Sequence, residues 1–79
     1  MTYSAAVDQI RKKVRMVEAS PRAIGVLSTG ERIAVALVLD RYDLVHEHWG
    51  TMLEAVHRLG LEWAEAALFV QRHGWKDEL

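Results

Sequence analysis

The chain has 79 residues, 51% of them hydrophobic, with one proline, five glycines, no cysteine and a net charge of −1. That length makes one small domain, too apolar for disorder and too poor in turn residues for an all-β fold. No disulfide framework is available, the longest apolar run (Ile33 to Leu39, "IAVALVL") is far short of the roughly 20 residues that cross a bilayer, and the overall charge draws the molecule neither to nucleic acid nor to a membrane. The charge is unevenly spread: residues 1 to 32 sum to +3 and residues 33 to 79 to −4.

In the first segment Tyr3, Val7, Ile10, Val14 and Val17 recur at alternating spacings of four and three, one face of a helix, with Ser4 as the expected N-cap. Arg11, Lys12, Lys13 and Arg15 occupy its other faces, and Asp8 stands one turn before Lys12. Pro21 disfavours helical geometry at Ser20, so this helix ends near Ala19; Ser20 and Pro21 then open a short turn of helix, the serine as cap. Ser28 and Glu31 have capping-box spacing and predict a helix over about 29 to 41. A buried strand competes for "RIAVALVL", but two alanines, the cap and the lack of hairpin partners favour a helix, so apolar all round that it must be central.

Thr51 and Glu54 repeat the capping-box spacing ahead of Met52, Leu53, Val56 and Leu59. Gly60 falls where a left-handed cap belongs, with Leu61 expected to reach back to Val56; Gly74 and Trp75 repeat the device after a last helix over about 61 to 73, Trp75 reaching towards Val70. The expectation is an all-α single domain, 1 to 79, of about four short helices around the segment 30 to 41, the last two forming a tight hairpin. The chain closes on Lys76-Asp77-Glu78-Leu79, which spells a retention address of the endoplasmic reticulum. The first residues, "MTYSAAVDQIRKKVR", interrupt their apolar positions with Asp8 and Gln9 and place the basic residues afterwards, unlike a signal peptide. The reading expects a cytoplasmic protein and a coincidental ending.

Four classes of chemistry bear on these residues. Catalysis lacks a cysteine nucleophile, a phosphate loop and a nucleophile elbow, and "LSTGE" is better explained as a capped helix start, so no enzyme and no cofactor are expected. His46 and His48 in "HEH", with His57 and His73 downstream, lack the spacing of a zinc site; loop histidines, not a metal centre, are expected. "RKKVR" and Arg22 could meet phosphates, and helices near 29 to 41 and from 51 have the order of a helix-turn-helix. The connection "YDLVHEHWGT" is long for that motif, however, and "TMLEAVHRLG" offers only His57 and Arg58 to read bases.

Protein recognition is the fourth class. On a helical wheel the last helix turns Trp63, Ala66, Ala67 and Val70 one way and Glu62, Glu65, Arg72 and His73 the other, with Phe69 amid the polar arc. An aromatic ringed by charges has the composition of an interaction hot spot; the competing account packs Phe69 under the N-terminal segment or Trp49. Asp40, Asp43, Glu47, Glu54, Glu62 and Glu65 extend the hypothesis to an acidic surface able to dock a basic groove, including one that normally holds nucleic acid.

The stretches "RAIGVLSTGERIAVALVLDRYDLV" and "TMLEAVHRLGLEWAEA", together roughly residues 22 to 66, resemble small proteins carried by phages and integrative elements of proteobacteria. Within that setting the chain looks most like the anti-CRISPR inhibitors of type I systems, type I-C among them. The resemblance implies a non-enzymatic protein that binds a Cas surveillance complex and hinders recruitment of target DNA. It transfers no contact residues, because the group is united by activity and shares no motif. A small helix-turn-helix transcriptional regulator is the alternative, and a stabilising subunit of a mobile-element complex the third reading.

Overall fold

The computed structural model describes residues 3–44 and 51–75. Four α-helices carry the fold: α1 (Tyr3–Ala19), α2 (Thr29–Leu39), α3 (Met52–Leu59) and α4 (Leu61–His73), with short 3-10 helices at Pro21–Val26 and Tyr42–Leu44. No strand occurs among the described residues, so "RIAVALVL" is helical. The described part is thus all-α.

Helix α1 buries the predicted face, Val7, Ile10, Val14 and Val17, and adds Ala6. Ser4 is not its cap, since the helix already includes Tyr3. Ser20 is extended and leads into Pro21 as expected, but its side chain makes no capping bond; the 3-10 turn is closed instead by Ala23 N–H on the Ser20 carbonyl at 2.8 Å. Arg32 of α2 reaches back to the Gly25 carbonyl at 3.2 Å and ties this connection down.

The capping box of α2 forms in full. Glu31 N–H donates to Ser28 Oγ at 3.2 Å, and Ser28 N–H to Glu31 Oε1 at 2.8 Å. The other end carries no sequence signal of its own: Asp40 adopts the left-handed conformation (φ 53°, ψ 39°), Asp40 N–H donates to the Leu37 carbonyl at 3.2 Å and Arg41 N–H to the Ala36 carbonyl at 2.9 Å. This is a Schellman motif with aspartate in the place glycine usually takes.

Helix α2 buries Ile33, Ala34, Val35, Ala36 and Val38, which makes it central as its sequence requires. The main core joins α1, α2 and α4, with Ala66, Ala67 and Val70 as the contribution of α4 and Trp63 half-buried against it. Alanines at these contacts let the helix axes approach closely. Helix α3 is peripheral. Only Ala55 is buried on it, in a small separate cluster with Ile33 that half-buried Leu37 and Leu59 border.

Thr51 Oγ1 caps α3 by accepting from Glu54 N–H at 3.1 Å. The glycines end their helices with positive φ, but not in the left-handed helical well: Gly60 lies at φ 90°, ψ 157° and Gly74 at φ 89°, ψ 164°. That mirror-extended region belongs to glycine almost alone and sends the chain away from the helix instead of folding it back. Leu61 therefore does not fold into a buried cap and stays 75% exposed. Trp75 packs on the main core, and its polar ties run to α1: its ring N–H donates to Glu18, and its carbonyl accepts from Arg15 Nη1 at 3.1 Å.

Candidate protein-binding surface

Phe69 lies on the flank of α4 next to the start of α1. Its ring meets that of Tyr3 edge to face, with centroids 6.1 Å apart at 83°, and His73 one turn later lies 4.3 Å from it at 34°. Packing and exposure coexist here: Phe69 remains 40% and Tyr3 41% accessible. Glu62 and Glu65, exposed on the two preceding turns, point within about 20° and 40° of Phe69 on an ideal helix. The resulting strip is an apolar aromatic pair with carboxylates at one end and an imidazole at the other.

The remaining acidic candidates are scattered by the fold. Asp40 is the left-handed cap of α2, and Asp43 is held by Arg41 Nε and Nη2 at 2.8 and 2.7 Å. The Arg41 guanidinium keeps the Asp43 carboxyl below the usual carboxylate range. Gln71 Nε2 donates to the carbonyls of Leu37 and Val38 at 3.0 and 3.3 Å, which seats the end of α2, and Asp40 with it, beside the last turns of α4. Glu62 precedes Gln71 by nine residues, about 13 Å of helix, and projects about 180° away from it. The strip that contains Glu62 and the end of α2 that contains Asp40 therefore lie on different sides of α4. Glu54 stands exposed in the first turn of α3, while Glu47, with His46, His48 and Trp49, falls outside the described residues.

A second surface was missed from the sequence. Leu53 is 80% exposed, Leu61 75% and Leu68 45%, and a shallow groove between α2, α3 and α4 is lined by Leu37, Val56, Ala64, Ala67, Leu68 and Gln71. The signal was available: the wheel that singles out Phe69 also places Leu61 and Leu68 beside Glu65 and Arg72.

The start of α2 borders a hollow that includes Ser28, Gly30 and Arg58, where a phosphate loop would have acted. Glu31 already supplies negative charge there. The Ser28 backbone N–H, and then the charge of Lys13 with its ammonium 3.6 Å away, hold the Glu31 carboxyl below its ordinary range despite partial burial. An incoming anion would meet this carboxylate at the helix start. Among the described residues no polar or charged side chain is buried, and no group of three or more His, Asp and Glu could hold a metal ion. No helix of the described residues is long and apolar enough to cross a membrane. Comparison of the chain with protein-family models, curated proteins and solved structures gave no match.

Proposed function

We propose that the chain is a protein-binding domain that acts by occupying a basic surface of its partner, with no chemistry of its own. The observation that carries the reading is the half-exposed Phe69, braced edge to face by Tyr3 and flanked by Glu62. A ring held rigid by a neighbour loses little freedom on docking, and carboxylates beside it suit an arginine that stacks on the ring while pairing with the acid. Surfaces with such arginines are those that hold nucleic acid. A type I CRISPR surveillance complex, with its DNA-recruiting groove, is the partner this reading names, and it places the chain in the cytoplasm.

The test is binding of the purified chain to a purified type I surveillance complex. Phe69→Ala combined with Glu62→Arg is expected to weaken binding at least about 30-fold, the scale of one hot spot. Lys12→Glu, on the basic face of α1, leaves it within about twofold. The helix-turn-helix alternative rests on His57 and Arg58, exposed on α3 beside Glu54 and Leu53. Duplex DNA affinity that falls steeply with salt, together with indifference to the Phe69 pair of changes, would replace the blocking reading by the regulator.

A further inference from the structure

We infer that the outer stripe of α4 is a two-fold interface between two copies of this chain. The inference goes beyond the function proposed above; of the residues it uses, Glu65 alone also borders the Phe69 strip. Leu61, Ala64 and Leu68 follow one another at spacings of three and four, the seam of a helix pair that ends at Gln71, whose amide holds the end of α2, and Leu61 and Leu68 are 75% and 45% exposed. Glu65 and Arg72 stand seven residues apart along one edge of that seam, both exposed, with Leu68 midway between them. Within one helix they are about 10 Å apart along the axis, too far to pair, and neither has an ion-pair partner among the described residues.

This order of charges is what selects a second copy over a foreign helix. An antiparallel crossing of two α4 helices about a two-fold axis near Leu68 sets Glu65 of each against Arg72 of the other, so both pairs form from one sequence. The edge is thus its own complement, while a foreign partner would have to present the same two charges in reversed order. Leu68 meets its own counterpart at the axis, and Val56 of α3 closes the groove beside it. Phe69 points about 100° from Leu68, so Tyr3, Phe69 and Glu62 remain on the flank of the pair.

Helix α4 has 13 residues, about 20 Å, and a face of that length and about two helices' width lies at the low end of specific interfaces. The dimer is therefore reversible, with dissociation in the range of about micromolar and above.

Sedimentation equilibrium of the full chain, from about 1 µM to 1 mM, is the measurement, with circular dichroism to verify helicity of each variant. Wild type is expected to dimerise within that range. Glu65→Arg or Arg72→Glu alone turns two attractive pairs into two repulsive ones and weakens the dimer about tenfold or more; the double variant recreates the pairs with exchanged signs and restores it. Both positions are exposed, so the swaps leave the fold intact. A chain that stays monomeric to the highest concentration overturns the inference and leaves the groove to a foreign helix. A dimer indifferent to the swaps, or one the double variant does not restore, overturns it by placing the contact on another face. Phe69→Ala leaves the dimer unchanged, which separates failure here from failure of the proposed function.

Discussion

Asp40 offers a sharp test of how this backbone is held together. It is the one non-glycine residue among those described with positive φ, its side chain is exposed, and it sits at the negative end of the α2 dipole. Replacement by glycine removes the left-handed strain, about 1 kcal/mol at the lower end for a residue type that tolerates that well. It also removes an anion from the helix C-terminus, about 0.3–1 kcal/mol, while the freer unfolded chain costs about 0.5–1 kcal/mol. Asp40→Gly is therefore expected to stabilise the fold by about 0.5–1 kcal/mol. With the usual unfolding entropy per residue, that raises Tm by roughly 3–6 °C for a chain of 79 residues.

Asp40→Ala separates the contributions, because it also loses the charge but keeps a Cβ in the left-handed well. Alanine, without a short polar side chain, bears the upper end of the left-handed penalty, about 2 kcal/mol, against the roughly 0.5–1 kcal/mol that glycine's freer unfolded chain costs, so glycine should exceed alanine by about 1 kcal/mol in urea-unfolding free energy, with unchanged m-values. Equal stabilities for the two variants would show that the Schellman turn after α2 is not strained, and the account of how α2 ends would fail with it.

At the opposite end of α2, Ser28→Ala should cost about 1 kcal/mol in chemical denaturation. Because the Glu31 carboxyl titrates lower when folded than when unfolded, its contribution is present above the unfolded value, about 4.3, and is lost as pH falls through the folded one. Glu31→Gln should thus destabilise at pH 7 and converge on wild type in acid; a gap that stays constant down to pH ~2 contradicts this. Ile33→Ala, at a fully buried site joining α2 to α3, should cost about 2–5 kcal/mol, and a loss below about 1 kcal/mol would mean α3 does not pack there. Gly30→Ala meets only Leu59 Cδ1 at 4.0 Å and should stabilise by about 0.5–1 kcal/mol, whereas Gly74→Ala, at φ 89°, should lower Tm; opposite signs in thermal melts check both.

Those parts of the fold set by local chemistry were readable in advance. The face of α1, the box of α2 and the inward alanines of α4 follow from spacing alone, because helix geometry converts sequence distance into direction. The ends of helices were not. A glycine after a helix announces positive φ but not ψ, so Gly60 and Gly74 were expected to fold the chain back and instead send it on; Asp40 carried no such announcement. Phe69 was legible as an aromatic among charges, but its bracing by Tyr3 depends on how α1 lies against α4. The same dependence separated Glu62 from Asp40, since a list of acidic residues holds no information on which side of a helix its neighbour packs.

The peripheral standing of α3 links the stability of the fold to its surfaces. Eight residues are too few for a helix to persist alone, so α3 depends on the Thr51 cap and on Ala55 and Leu59 resting against Ile33 and Leu37. The larger cluster of α1, α2 and α4 meets α3 through half-buried Leu59 and does not include Ala55, the residue α3 buries, so α3 belongs to the less stable part of the described molecule. Val56 nevertheless forms one wall of the groove beside Leu68. Whatever covers that groove binds only the arrangement in which α3 is seated, and by mass action its binding holds α3 in place. The Phe69 strip is braced by α1 and α4 alone. The two surfaces therefore differ in kind, one resting on α1 and α4 of the main core and one that exists only while α3 is seated.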